Sequence, residues 1–170
     1  DWIERLTMFL IFPPVAKPCE PPAGIALLSG ALKQAGIACE TIDAGIEGLM
    51  WLIHSDIEPS DSWGARALKH RDDIISDIKT PQLYQNIDRY RQKVLDLNKL
   101  LGESVDGDRF RVTLSDYGDR NLNPLKSRDL LESAGKFDEN PFYGYFEEKL
   151  TQRIQSDRSG YVGISLCYLN

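Results

Sequence analysis

The stretch Thr7-Met-Phe-Leu-Ile-Phe-Pro-Pro14 decides the fold. Residues 7–12 form a short apolar run without polar alternation, which is typical of a strand buried on both faces of a parallel sheet. The two prolines stop the strand, because proline has no backbone N–H to give to a neighbouring strand. The sequence therefore predicts an α/β protein whose first strand is this run.

A helix and a second strand follow closely. The proline-rich loop ends at Pro22, which suits a first helical turn, and Gly36 is a natural stop for the helix. The inner face of this helix is expected to carry Ile25, Leu28 and Leu32. Residues 37–42 form the next strand, which ends at Asp43. Such a compact strand–helix–strand unit predicts a right-handed parallel crossover.

The matching last strand is Tyr161-Val-Gly-Ile-Ser-Leu-Cys-Tyr168, shortly before Asn170. A sheet of three parallel strands leaves apolar surface uncovered, so we expect the natural protein to continue beyond this sequence. The expected fold is α/β, a partial doubly wound parallel sheet of flavodoxin-like type, truncated. Residues 1–170 are taken as one domain, with a mainly helical insertion at about residues 55–157.

Helical periodicity dominates the insertion. Helices are predicted at 47–54 and 63–79, and Thr80-Pro81 would begin a third that Gly102 closes. An apolar stripe with heptad spacing runs along the third helix and consists of Leu83, Ile87, Tyr90, Val94, Leu97 and Leu101. The stripe fits packing within the chain, and it also fits self-association through the helical insertion.

The rest of the insertion has weaker signals. The alternation at 109–114 predicts a half-buried strand, and residues 115–126 read as a loop. Ser127 would cap a helix ending at Gly135. A last helix would begin after Asn140-Pro141, with its inward side chains being Phe142, Phe146, Leu150 and Ile154.

Composition narrows the class of partner. A net charge of −6 disfavours nucleic acid, because binding phosphates requires a basic face. The longest apolar run near the N-terminus is far shorter than the roughly 20 residues of a membrane span. Cys19, Cys39 and Cys167 form neither a disulfide framework nor a metal-binding pair, which favours reduced thiols in the cytoplasm.

The common catalytic and phosphate-binding motifs are missing from the sequence. No G-x-x-x-x-G-K-[ST] occurs, and no G-x-G-x-x-G follows the first strand. His54 and His70 lack carboxylates or cysteines at metal-ligand spacing, so they are expected at solvated or capping positions. The remaining signal is geometric, since ligands of open parallel sheets bind at the carboxyl ends of the strands. Three stretches fall there: 13–24, 43–47 and 166–170.

These stretches carry a family likeness. Phe9-Leu-Ile-Phe-Pro-Pro14, Glu20-Pro-Pro-Ala-Gly-Ile-Ala-Leu-Leu28 and Thr41-Ile-Asp-Ala44 resemble the N-terminal cobalamin-binding-type domain of radical SAM enzymes. Leu32-Lys-Gln-Ala-Gly36 and Val162-Gly-Ile-Ser-Leu-Cys-Tyr-Leu-Asn170 extend the likeness to about 50 residues.

The resemblance implies a non-catalytic, cofactor-binding segment of a radical SAM enzyme. Cobalamin would be held against a following barrel, and S-adenosylmethionine and a [4Fe-4S] cluster would belong to that absent part. The residues implied to bind the cofactor are Pro13, Pro14, Glu20, Pro22, Gly24, Asp43, Ala44, Gly45, Tyr168 and Asn170. Catalytic residues and metal ligands are not expected here, because the C-x-x-x-C-x-x-C motif is absent. Asp43-Ala-Gly-Ile-Glu-Gly48 matches the family's D-x-H-x-x-G motif only in outline, with Gly45 in place of the histidine.

Two alternatives stay open. One is a protein-interaction module in which a degenerate sheet binds no small cofactor and the insertion engages a partner. The other is a free-standing flavodoxin-like response or flavin domain, which the absence of a Ser/Thr-rich first loop disfavours.

Overall fold

A computed structural model describes residues 8–14, 21–156 and 161–165. The strands are β1 (Met8–Phe12), β2 (Cys39–Asp43), β3 (Phe110–Val112), β4 (Tyr117–Asp119) and β5 (Tyr161–Ile164). The α-helices are α1 (Ala23–Gln34), α2 (Ala44–Ile53), α3 (Ser62–Lys69), α4 (Arg71–Ile78), α5 (Ile87–Glu103), α6 (Ser127–Gly135), α7 (Tyr143–Tyr145) and α8 (Thr151–Ser156). Short 3₁₀ segments lie at Pro81–Gln85 and Phe137–Glu139, and a π-helical turn, Phe146–Leu150, joins α7 to α8.

A three-stranded parallel sheet, in the order β2-β1-β5, confirms the α/β class. The central strand β1 is buried on both faces, as its unbroken apolar sequence predicts, with Phe9 at 0% exposure. Its partners in register are Cys39 to Asp43 of β2 on one side and Tyr161 to Ile164 of β5 on the other. The first and last predicted strands are therefore neighbours, as a parallel sheet with a long intervening insertion requires.

Helix α1 covers one face of this sheet. It begins just after Pro22 and ends two residues before Gly36, whose φ of 75° is the left-handed conformation that favours glycine. Ile25 packs on Leu10 and Phe12.

The inner stripe of α1 differs from the prediction. Ser29 is buried, whereas Leu28 is half exposed. Ile25, Ser29 and the partly buried Leu32 follow an i, i+4, i+7 spacing, so the helix turns its serine rather than Leu28 toward the sheet. The prediction for Leu28 was wrong because hydrophobicity alone cannot distinguish between adjacent helical stripes.

Helix α2 begins directly at the end of β2. The stretch 43–47 includes the start of this helix, because Ala44 already belongs to it. Asp43 Oδ1 accepts a hydrogen bond from the Ile46 N–H at 3.1 Å, which is the bond of a helix cap. The helix predicted at 47–54 thus exists but starts three residues earlier.

The chain divides into two compact units. Unit 1 comprises residues 1–48 and 138–170, and unit 2 comprises residues 49–137, so the boundary falls within α2. The predicted insertion at about 55–157 therefore splits, since its last part belongs with the sheet. There Phe142 and Leu150 are buried as predicted and Phe146 and Ile154 half-buried, while Tyr145, not predicted as inward, is only 2% exposed.

Unit 2 is mainly helical, with two breaks that were not predicted. His70 separates α3 from α4 within the predicted helix 63–79. Pro81–Gln85 is a 3₁₀ segment, and α5 begins after Asn86, whose side chain accepts the Arg89 N–H at 3.0 Å. Gly102 lies inside α5 rather than after it.

The heptad stripe is only partly buried. Leu83, Leu97 and Leu101 are buried, Tyr90 and Val94 are half-buried, and Ile87 is 71% exposed. Helix α5 packs against α3, α4 and β3 within unit 2. The stripe therefore serves packing inside the chain over most of its length, and self-association stays a prediction.

A small hairpin replaces part of the predicted loop at 115–126. Strand β3 lies within the predicted strand 109–114 and pairs with the unpredicted β4 in antiparallel fashion. The Arg109 guanidinium bonds the Asp119 carboxylate across the pair at 3.0 Å, and Asn98 of α5 accepts the Leu114 N–H at 2.8 Å. The pairing rests on contacts that a local sequence pattern does not show.

Candidate functional site

An open groove of about 490 Å³ lies between α1 and β2. This volume is in the range of small-molecule sites. The residues that line it all belong to unit 1: Pro21, Pro22, Ala23, Ile25, Ala26, Ser29, Gly30, Lys33, Thr41 and Asp43.

The side-chain periodicities of the strands and of helix α1 explain which residues line the groove. Met8, Leu10 and Phe12 of β1 stand in register with Cys39, Thr41 and Asp43 of β2, so these side chains point to the face that α1 covers. The opposite wall is one stripe of α1, made of Pro22, Ala26, Ser29, Gly30 and Lys33. The groove therefore runs along the edge strand and reaches its carboxyl end at Asp43.

Polar groups lie at both ends of the groove and in its wall. The Lys33 ammonium belongs to one end and the Asp43 carboxylate to the other. Between them, the buried Ser29 hydroxyl lies 3.3 Å from the Cys39 sulfur. Cys39 is a half-buried free thiol.

The carboxyl ends of β1 and β5 meet beside the start of α1. The Ser165 N–H donates to the Ile11 carbonyl at 2.9 Å, which continues the pairing past the last residue of β5. A Cβ atom on Gly24 would lie 2.6 Å from Ser165 Oγ. A side chain at this position would therefore require the Ser165 hydroxyl to rotate away.

The structure brings some of the predicted binding residues together. Pro22 and Asp43 both line the groove. Pro13 and Pro14 are half-buried, and Pro14 Cγ lies 3.4 Å from the Cβ position of Gly48 in α2. The two prolines after β1 are therefore partly packed against protein.

Two other predicted binding residues are buried at the start of α2. Ala44 has 0% exposure, and Gly45 is buried as well. A Cβ atom on Gly45 would lie 3.2 Å from Asp43 Oδ1 and 3.6 Å from the Phe12 ring. These residues could influence a ligand only indirectly, through the neighbouring residues that cover them.

Three further predicted residues, Glu20, Tyr168 and Asn170, lie outside the described residues, as do Cys19 and Cys167.

The opposite face of β2 carries an ionic cluster. Arg153 of α8 bonds Glu40 through Nε at 2.7 Å and Glu47 through Nη1 at 3.1 Å. The buried Tyr145 hydroxyl donates to Glu47 Oε2 at 2.8 Å. Burial raises the pKa of the Tyr145 phenol well above its ordinary value, and the Glu47 carboxylate adds to the rise. The phenol stays protonated, so the cluster ties α8 and α7 to β2 and α2.

The residues of unit 1 fit the edge of a cobalamin ring better than its metal. Within the described ranges, no group of three histidine, cysteine, aspartate or glutamate residues could hold a metal ion. Both histidines of the sequence, His54 and His70, belong to unit 2, where they lie at helix ends. At the carboxyl ends of β1 and β5, the Ser165 hydroxyl could accept or donate a hydrogen bond to a ring amide.

Sequence reasoning missed several residues of the groove. Thr41 could have been found from strand periodicity, because it lies two residues before Asp43 and so shares its face. Ser29, Gly30 and Lys33 could not, since they depend on which stripe of α1 faces β2. Ser165 is marked only by its position after an apolar run.

No family model, curated protein or solved structure matches this chain. In the part of the chain that the structure describes, none of the helices has the length and apolar character needed to cross a membrane.

Proposed function

We propose that this chain is a cofactor-binding, non-catalytic segment of a radical SAM enzyme, with cobalamin as the cofactor. The observation that carries the proposal is the strand order β2-β1-β5. Counting only the strands of this sheet along the chain, the order is 2-1-3, which is compatible with the beginning of a flavodoxin-like sheet. In such sheets ligands bind where the strand order reverses. That point lies between the carboxyl ends of β1 and β5.

Gly24 and Ser165 lie at this reversal point, and the groove with Pro22 and Asp43 opens at the same edge of the sheet. When bound, cobalamin supplies alkyl-transfer or radical chemistry at its cobalt. The residues of this chain would hold the ring by hydroxyl and backbone groups and keep water from one of its faces. Cobalt would have no histidine ligand from unit 1, because unit 1 contains no histidine.

The test is a titration of the chain with hydroxocobalamin, followed by visible absorbance and calorimetry. Saturable binding with a dissociation constant in the micromolar range or tighter supports the proposal that cobalamin binds at the carboxyl ends of β1 and β5. His54→Ala and His70→Ala should leave the spectrum of the bound cofactor unchanged. The absence of binding by the folded chain contradicts the proposal.

A protein-interaction module is the second candidate. The observation that favours it is the direction of the groove, which runs along the edge strand β2 rather than across the ends of all three strands. Such a module would bind partner protein and no cofactor.

A further inference from the structure

Strand β2 has one free edge among the described residues, since its only strand neighbour there is β1. The Met8 N–H donates to the Ala38 carbonyl at 2.9 Å, so Ala38 turns its backbone toward β1. Backbone groups of successive strand residues point to alternate edges. Glu40 therefore also faces β1, whereas Cys39 and Thr41 direct their N–H and C=O groups outward.

Of these two residues, Thr41 borders the groove. The side chain of Thr41 lines it, and the stripe of α1 that includes Ser29 and Gly30 forms the other wall. From Pro22 to Lys33 this stripe is about 16 Å long, which is the length of about five extended residues. A groove between a helix and a free strand edge has the shape that an added β-strand requires.

We propose that this groove binds an extended peptide segment of a partner protein as a strand antiparallel to β2. The direction of the peptide follows from the charged residues at the two ends of the groove, Lys33 and Asp43. Strand β2 runs from Cys39, near the Lys33 end, to Asp43. An antiparallel peptide would place its carboxyl end at Lys33 and its amino end at Asp43, so an acidic last residue and a basic first residue fit best.

The middle of the groove accepts a side chain of the peptide. Nothing lies within 4 Å of the position of a Cβ atom on Gly30. The apolar atoms of Ile25 and Ala26 line the same wall. Side chains of an added strand that point toward α1 would be of moderate size and apolar, alternating with residues that point away.

This inference goes beyond the cofactor proposal and does not depend on it. The peptide would occupy the length of the groove beside β2, whereas cobalamin would lie at the carboxyl ends of β1 and β5. Failure of one proposal therefore leaves the other standing, and separate titrations distinguish them.

The probe is the peptide acetyl-Arg-Thr-Val-Thr-Glu with a free carboxylate, in which Arg, Val and Glu share the face toward α1, and it is titrated into the chain by calorimetry and by ¹⁵N NMR. We expect saturable binding, with the largest shifts at the amides of Cys39 and Thr41. A peptide N-methylated at its valine, the residue opposite Thr41, cannot complete the ladder and should bind about tenfold more weakly or worse. The charge-reversed acetyl-Glu-Thr-Val-Thr-Arg-amide should also bind more weakly.

Gly30→Leu is the blocking variant, because its side chain would fill the groove without meeting protein atoms at Cβ. Gly102→Leu is the matched control, since Gly102 is likewise a helical glycine with nothing within 4 Å, but it lies in α5 of unit 2. We expect Gly30→Leu to lose binding by about tenfold or more and Gly102→Leu to bind like the wild type. Lys33→Gln should weaken binding about two- to fivefold.

Three results would overturn the inference. They are no saturable binding of the peptide by the folded chain, equal affinity of the wild type and Gly30→Leu, and equal affinity of the methylated and unmethylated peptides. Circular dichroism of each variant establishes that it is folded. Cobalamin binding that survives in Gly30→Leu while peptide binding is lost would place the two ligands at different sites.

Discussion

Ser165 Oγ lies 2.6 Å from the place where a Cβ atom on Gly24 would be. The first turn of α1 thus lies close to the residue that follows β5, although the two segments are about 140 positions apart in the chain. A side chain at Gly24 would therefore disturb Ser165 whether or not a ligand is bound. A bulky substitution there would not test ligand binding cleanly.

Gly24 and Gly30 form a matched pair of helical glycines. Gly30→Ala should stabilise unit 1 by about 0.5–1 kcal/mol, because alanine is the better helix former and nothing lies near the new atom. Gly24→Ala should not give this gain, since Ser165 must rotate away. The measurement is urea unfolding followed by circular dichroism.

The double variant Gly24→Ala with Ser165→Ala supplies the control. Without the hydroxyl, the nearest Ser165 atom to the new Cβ would be its own Cβ at 3.8 Å, an ordinary contact. We expect the double variant to recover stability relative to the sum of the two single variants. Strict additivity would mean that the two residues do not interact.

Introducing the histidine of a D-x-H-x-x-G motif at position 45 should destabilise the start of α2. Gly45→His would place its Cβ 3.2 Å from Asp43 Oδ1 and beside the Phe12 ring in a buried position. Overpacking of this kind costs about 1–3 kcal/mol. Thermal unfolding should show a lower midpoint for this variant, and no histidine signature should appear in the spectrum of added cobalamin. A stable variant with cobalt–histidine coordination would contradict the geometry at the start of α2.

Removing the Tyr145 hydroxyl should loosen the attachment of α7 and α8 to the sheet. Tyr145→Phe deletes the buried hydrogen bond to the Glu47 carboxylate and should destabilise unit 1 by about 1–3 kcal/mol. Tyr143→Phe is the control, because the Tyr143 hydroxyl donates to the Glu147 carboxylate at the surface. We expect a much smaller effect from the control, and equal effects would argue against the buried position of Tyr145.

Unit 2 should lose stability in acid through Glu103. Burial would raise the pKa of this carboxyl, but hydrogen bonds from the Ser60 hydroxyl and N–H and from Lys99 outweigh it, and the pKa lies below the ordinary 4.5. A carboxyl with a lowered pKa in the folded state contributes stability above its unfolded pKa. That stability is lost as the pH falls from about 4.5 through the lower, folded value.

Urea unfolding at a series of acidic pH values checks this expectation. Glu103→Gln should flatten the fall in stability below about pH 4.5, the ordinary value for the group. The exposed Glu58 lies in the same unit, and Glu58→Gln should leave the slope unchanged. A wild-type slope in Glu103→Gln would assign the acid sensitivity to other carboxylates.

Strong local sequence patterns were enough to predict the strands of the parallel sheet. They did not predict elements that depend on contacts between distant segments of the chain. The unbroken run of β1, the proline before α1 and the positive φ of Gly36 all follow from local chemistry. The hairpin of β3 and β4 does not, because it depends on Asn98 of α5 and on the Arg109–Asp119 pair.

The candidate site could be predicted from the sequence only in part. The rule that ligands bind at strand ends led to Pro22 and Asp43, which do line one groove. The rule carries no information on burial, and Ala44 and Gly45, which were expected to bind the cofactor, are buried in α2. Ser29 entered the groove through the rotation of α1, which only the packed structure fixes.

The two faces of β2 impose a constraint on how this segment can vary. Glu40 holds the arginine of α8 on one face, and Thr41 borders the groove on the other. Adding or deleting a single residue between Ala38 and Asp43 would exchange the two roles, since side chains alternate along a strand. Related chains should therefore keep the length of β2 fixed, while its exposed residues differ. Insertions and deletions should concentrate in the exposed turn at 120–126.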